Sequence, residues 1–379
     1  MRRYLITVTL LIFSSLLLSS CGGGGSSSPG PNNGGGNNNP GGGGPSGGGA
    51  VTYWYMSSGL GRDSQLGSVS CPTATLCFAS GTNEILKSTD IGQSWTVSFQ
   101  DLTRPSGGTF YLSGISFPDP LNGVANLSGS NPLVKTQDGG NTWTPSNVLF
   151  GTSFSFADSK HGASSELNLL TLQFTTDGGA TWPSSAITVG GIGTNLPGYF
   201  ISQPRFIPSN SGNYSVGYAV AGKSDLNHLN FTSILLKTTD SGATWLDIPT
   251  TYGNQLFDVV TFTDSHHGWI GTFQGNVITT ADGGATWASH SIGNGVPVTA
   301  ISCVGSLNCW LLAGSTIQAT INGGTTWTQQ TPPAGSGYFI NYYDIHFTDA
   351  MHGIVSGYRY QTVGGPGSDF AAYTTTGGF

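Results

Sequence analysis

The sequence predicts an all-β chain, a seven-bladed β-propeller of four-stranded blades, and two recurring patterns carry that expectation. The first is a box: a hydroxyl residue, Asp two further on, Gly two beyond that, a second hydroxyl two beyond the Gly, and Trp directly after it. It reads Ser88, Asp90, Gly92, Ser94 and Trp95, and recurs around Asp138 and Trp143, Asp177 and Trp182, Asp240 and Trp245, and Asp282 and Trp287, with Asn322 in place of Asp before Trp327. The second pattern precedes the boxes and is an aromatic residue followed by Gly six positions later: Phe117/Gly123, Phe156/Gly162, Phe206/Gly212, Phe262/Gly268 and Phe347/Gly353. Cysteines stand at the same two places in two further units, Cys71/Cys77 and Cys303/Cys309, which makes seven units whose starts lie 39 to 56 residues apart. That period suits one four-stranded blade per unit.

Within a unit, short alternating stretches are separated by Gly, Asn, Asp and Ser, as in 301–303, 309–314, 316–320 and 327–330. They read as four strands, with no helical periodicity of useful length, and the box falls in the turn between the third and fourth. There the short acid can accept backbone N–H groups, Gly supplies a positive φ, and Trp buries its ring between neighbouring blades. The box acids Asp90, Asp138, Asp177, Asp240 and Asp282 are therefore read as structural. So are His161, His267 and His352, which share one turn position in three different units. A seventh box ends at Thr376 and Gly378 with no Trp strand after it. The segment 51–56 resembles the missing strand, so the ring is expected to close by pairing it as the outer strand of the last blade, which removes an exposed sheet edge.

The N-terminus predicts location. Arg2 and Arg3 precede an apolar run, and Leu18 to Cys21 match a bacterial lipobox, so residues 1–20 are expected to be a signal peptide and Cys21 the lipidated first residue of the mature chain. Gly22 stands where Asp would mark inner-membrane retention, which favours the outer membrane. The Gly-, Asn-, Ser- and Pro-rich stretch that completes 21–50 cannot bury a core and reads as a tether with a reach of roughly 30 Å. Residues 51–379 then form the propeller, expected to be a monomer.

Removing Arg2 and Arg3 leaves 9 basic against 18 acidic residues, a net charge of −9, which disfavours nucleic acid. The repeat alignment pairs Cys71 with Cys77 and Cys303 with Cys309 as disulfides, each worth about 2 kcal/mol in the chain-entropy model. A zinc site is the competing reading, but the spacing is not that of zinc ligands and the pairs lie on separate blades, so no metal is expected. No nucleophile elbow or phosphate loop is apparent, and no cofactor is expected.

The box resembles the Asp-box, or BNR repeat, of sialidase-like propellers. The run Phe262, Asp264, His267 and Gly268 followed by Thr279 to Trp287, together with Ser70-Cys71-Pro72 to Cys77, resembles the photosystem II assembly and stability factor family. The resemblance covers nearly all of 51–379 and implies a propeller and a non-enzymatic assembly role. That family's basic patch is not matched, because the mature chain keeps only Arg62, Arg104, Arg205 and Arg359. No photosystem client is carried over.

The alternative that the Asp-box resemblance raises is a glycoside hydrolase, sialidase-like or glucanase-like. A sialidase site needs three arginines, a Tyr with a Glu partner and an acid, yet the chain has only Glu84 and Glu166, both inside repeat units. Arg205 lies beside a residue with a repeat role and is read as structural or surface. No catalytic pair stands out among Asp63, Asp101, Asp225, Asp247, Asp258, Asp344 and Asp369. A protein- or glycan-binding scaffold is therefore favoured. Its expected binding face lies opposite the boxes, where two insertions are placed between the second and third strands, before Asp240 and Thr376. Loops on that face carry Phe110, Tyr111, Tyr199, Phe200, Tyr252, Tyr338, Phe339, Tyr342 and Tyr343, aromatic rings able to stack on sugars or anchor a protein.

Overall fold

Blade five shows how the repeat folds. Its strands Phe257–Phe262, Gly268–Thr272, Asn276–Thr280 and Ala288–Ser291 form one antiparallel sheet, with the box turn between the third and fourth. The structure, a computed structural model, describes residues 54–60, 66–81, 83–101, 114–127, 132–149, 153–166, 171–193, 199–202, 204–207, 216–225, 230–293, 295–333, 337–361 and 367–379. Residues 50–379 form one compact unit. Phe110, Tyr111, Cys21, Arg62, Arg104, Asp63 and Gly212 lie outside the described residues. Seven sheets follow one another around the ring, and the described elements are all strands.

The repeated aromatic and its glycine are cross-strand partners. Phe156 faces Gly162, Phe262 faces Gly268 and Phe347 faces Gly353 in the pairing of first and second strands. A Cβ built on Gly123, Gly268 or Gly353 would fall within the ring opposite it, so the ring lies flat across the glycine. The outer side of the ring then stacks on the second strand of the preceding blade: Phe117 on Phe78 at 3.8 Å, Phe262 on Tyr218 at 3.6 Å, and Phe347 on Trp310 at 3.6 Å. In the cysteine units a disulfide takes the place of ring and glycine, joining Cys71 to Cys77 and Cys303 to Cys309 across the same hairpin. The Trp after each box packs into the same seams, as Trp143 does beside Phe78 and Trp245 beside Ala163 and Leu172. Seven apolar clusters result, one at each blade-to-blade interface.

The ring closes through the N-terminal strand Trp54–Met56, which pairs antiparallel with Gly367–Thr374 as the outer strand of blade seven. Trp54 occupies the place of a box Trp, its Nε1 donating to Gln330 Oε1 at 3.0 Å and its edge meeting Phe347 at 5.9 Å. On the inside of the ring Asp344 of blade seven accepts the Val69 N–H at 2.9 Å and the Ser68 hydroxyl at 3.1 Å. The two ends of the ring are thus tied at both its outer and inner edges.

Two local features differ from the sequence reading. Phe206 pairs with Gly217, not Gly212, because five of the extra residues in blade four enlarge its first hairpin. The other extra residues there, and all those of blade seven, do lengthen the second hairpin, whose strands Gly217–Ser224, Phe231–Thr238, Gly353–Tyr360 and Gly367–Thr374 are each eight residues long. In blade three the outer position holds only a single bridge, Gln173 to Ser184. Pro183 lacks an N–H to donate just where other outer strands begin pairing. The chain instead forms the hairpin Ala186–Val189 and Ile192–Gly193, which adds in parallel to the outer strand Thr244–Ile248 of blade four.

Replacing Gly268 by Ala is expected to lower stability by about 1–3 kcal/mol, since the new methyl must displace the Phe262 ring from its stack on Tyr218. Urea unfolding checks this, and a loss well below that range would show that the ring can move aside freely.

Candidate functional site

The box turns rest first on a hydroxyl. In all seven, the Ser or Thr that ends the third strand accepts the N–H of the glycine four residues on at 2.8–3.0 Å, from Ser88 with Gly92 to Thr374 with Gly378. The same hydroxyl donates to the box acid, as Thr280 does to Asp282 at 2.8 Å. The acid in turn accepts both the N–H and the hydroxyl of the residue before Trp, Thr286 in that turn. Thr142, Thr181 and Thr286 bonds of this kind, hydroxyl before backbone, hold Asp138, Asp177 and Asp282 down to about 2. Asn322 keeps the geometry without charge, its Nδ2 donating to Thr326 at 2.8 Å. His161, His267 and His352 stay in separate turns, each with Nδ1 2.8 Å from the Asp three residues before it, Asp158, Asp264 or Asp349.

The box turns and first hairpins share one face, as the Gly283 N–H bond to the His266 carbonyl at 2.8 Å shows. On that side the channel widens into a cavity of about 730 Å³. Its wall includes the residue just before the repeat position in each blade: Ser70, Ser116, Ser155, Arg205, Thr261, Ser302 and His346. Three of these hydroxyls latch one blade to the next, Ser70 accepting the Phe117 N–H, Ser116 that of Phe156 and Ser302 that of Phe347, at 2.8–3.0 Å. At the seventh step His346 makes a hydrogen bond to the backbone of Cys71. Loss of solvent around the imidazole holds His346 below its ordinary value; Arg205 adds to this by repulsion, while Asp344 and the Cys71 bond oppose it.

The opposite face carries the starts of the first strands and the long hairpins of blades four and seven. Phe200 and Phe339 stand exposed there, at 40% and 59%. Beside them Lys223 lies 4.6 Å over the Tyr199 ring, and the Arg359 guanidinium 5.1 Å over that of Tyr338. Phe339 also stacks on Tyr360 at 5.8 Å. Tyr199, Tyr252 and Tyr342 pack against interblade clusters, because bulky rings at the strand starts fill the space beneath the loops. Tyr343 is half-buried, with its phenol pushed up to about 12, chiefly by burial.

The chain is a seven-bladed β-propeller. No family model matches it, and no curated protein does. Solved structures do: YCF48 bound to D1 peptide aligns with a TM-score of 0.59 at 17% identity, over 86% of this chain and 97% of that one. YCF48 from Cyanidioschyzon merolae gives 0.58 at 16% identity, over 86% and 98%. The GH74 xyloglucanase from Xanthomonas campestris gives 0.60 at 12% identity over 82% of this chain and 54% of that one, so this chain spans about half of that enzyme. At these identities the likeness is one of fold.

Against the residues a propeller glycosidase would need, the described part of the channel offers one arginine. Arg205 lines the cavity, a channel position and not the outer surface, whereas Arg359 lies on the hairpin of blade seven with its Nε bonded to Ser368 at 2.9 Å. Glu84 is buried within blade one. Asp344 is occupied by its bonds to Ser68, Val69 and Ile345. Asp258 stands apart. It sits at the bulge in the first strand of blade five, without a hydrogen-bond or ion-pair partner among the described residues, and burial pushes its carboxyl up to about 7. Sequence reasoning had no means to separate it from the other aspartates. His346 was also missed, although the row of hydroxyls before the repeat positions, broken only at Arg205 and His346, was a usable signal.

The depressed box carboxylates set a pH dependence. Their folded values near 2 lie below an unfolded value of about 3.9, so the stability they contribute is present above about pH 4 and is lost as pH falls toward 2. Acid unfolding of a variant with Asp138, Asp177 and Asp282 all changed to Asn is expected to show a shallower loss between pH 4 and 2 than the parent chain; equal slopes would remove the box acids from the account.

Proposed function

We propose that this chain is a non-enzymatic recognition propeller, binding a protein or glycan ligand as a scaffold in a bacterial cell envelope. The observation that carries the reading is the face opposite the boxes. Two elongated hairpins rise there, three blades apart around the ring, and each seats a cation on a Tyr ring at the start of the adjoining first strand, beside an exposed Phe. Exposed rings with an adjacent cation stack on sugars or grip a peptide, and they supply no nucleophile or acid–base pair. The similar structure of YCF48 holds a D1 peptide, which is consistent with a propeller of this shape taking a protein ligand. In this reading residues 1–20 are removed, Cys21 carries lipid, and the segment to residue 50 tethers the propeller to the outer membrane.

One observation favours a second reading. A carboxyl with a value near 7, as Asp258 has, is protonated enough at neutral pH to serve as a general acid in glycoside hydrolysis. A glycosidase also needs a second carboxylate nearby, and Asp344 is already engaged.

The full chain screened on a glycan array, in pull-downs from envelope extract and against fluorogenic glycosides separates the two. Binding without turnover is expected, weakened about tenfold or more when Phe200 and Phe339 are both changed to Ala. Turnover that disappears in Asp258→Asn would establish the hydrolase instead. Cys21→Ser is expected to move the chain from the membrane fraction to the soluble one; unchanged partitioning would refute the anchor.

A further inference from the structure

We propose that the box-side half of the channel is a binding site for a small carboxylate anion, held between Arg205 and His346. This site lies on the other side of the ring from the recognition face and does not depend on that reading.

The argument begins with what the repeat places in the channel wall. At the position before each repeat residue, five blades supply a small hydroxyl, and two break the series with a guanidinium and an imidazole. Arg205 has no hydrogen-bond or ion-pair partner among the described residues, although it is half-buried in the wall of the cavity. A half-buried guanidinium with its donors unused is a ready partner for a bound anion. The acids nearby do not serve. Asp344, the one carboxylate in the wall of the cavity, has its two oxygens taken up by Ile345 N–H, Val69 N–H and the Ser68 hydroxyl.

The remaining wall is rich in donors. Ser70, Ser116 and Ser302 use their oxygens as acceptors for the neighbouring blade, which leaves each hydroxyl proton free to point at a ligand. The groups that act on His346 are Arg205 across the channel, Asp344 on its own strand and the Cys71 backbone on the next blade; the other lining residues are uncharged. Loss of water, with the repulsion from Arg205, holds the imidazole below its ordinary value. A carboxylate placed between the two would pair bidentately with the guanidinium and favour the imidazolium, so binding and protonation of His346 are linked. The chain as a whole is acidic, at −7, so a diffuse positive field does not account for such binding. A cavity of about 730 Å³ admits a small organic acid and its hydration water.

The test uses the full chain with labelled histidine, its His346 resonance assigned through His346→Gln, titrated by NMR in acetate and in chloride at equal ionic strength. Acetate is expected to raise the His346 value in a saturating manner, by about half a unit or more, beyond any change in chloride. In Arg205→Gln, checked for an unchanged unfolding temperature, the value should already be raised without acetate, because the repulsion is gone, and acetate should add nothing. Arg205→Lys keeps the charge but not the bidentate geometry, and should retain a weakened response. Equal effects of acetate and chloride, or an acetate response that survives Arg205→Gln, would overturn the proposal.

Discussion

The structure depends on one hydrogen bond repeated seven times: a buried hydroxyl at the end of each third strand accepting a glycine N–H across the turn. The hydroxyls of Ser88, Thr136, Thr175, Thr238, Thr280, Thr320 and Thr374 all make it, and all seven residues are buried. The acid of the box is more dispensable, being Asp in five turns, Asn322 in the sixth and Thr376 in the last. A buried N–H without an acceptor costs about 1–3 kcal/mol, whereas the exposed side of the turn can be satisfied by water. That difference explains which residue varies. The hydroxyl also needs two successive residues in left-handed backbone, supplied mostly by glycine, with Ile91 and Ser241 adopting positive φ where glycine is missing.

From this turn the packing follows. It reverses the chain so that the next residue, Trp, returns toward the preceding blade and meets the ring that lies over the glycine of the first hairpin. Ring, glycine and Trp therefore form one joint per interface, and a disulfide can stand in for the first two because both solutions fill the same gap between the strands. A closed ring makes each joint depend on its neighbours. The N-terminal strand and Asp344 matter for that reason, since they supply to the last interface what the chain order supplies to the other six.

Much of this was legible in the sequence, because the box and the ring–glycine pair act at fixed short separations. Where separation stopped reporting register, the reading failed: Phe206 has a glycine six residues on, but the strand register selects Gly217. Spacing cannot reveal a pairing that an inserted hairpin has shifted. The outer position of blade three was hidden for another reason, as the box before it is intact and only Pro183 signals that pairing cannot continue. The channel was less legible still. Its wall is built from one residue per blade, separated by dozens of positions in the chain, and only alignment of the repeats sets His346, just before Phe347, apart from the three histidines that stand before a repeat glycine and brace a turn with an aspartate. Nor can spacing tell which aromatics at the strand starts remain exposed: Phe339 does, while Tyr342, three residues later, packs against a cluster.

The two faces of the ring are under different constraints. On the box side every blade must present a turn of nearly the same shape, since it carries the hydroxyl bond and delivers the Trp, so variation there falls on the first hairpin of blade four and on side chains that reach into the channel. Arg205 and His346 are such variations, and they change the chemistry of the wall without altering a turn. On the other side the second hairpins carry no joint, and blades four and seven lengthen them freely while the ladder bonds continue along eight-residue strands. A lengthened hairpin adds ordered surface at little cost to the ring beneath it. Residues that hold the propeller together are therefore segregated from the long hairpins, where a ligand surface can change from one chain to another while the joints stay the same.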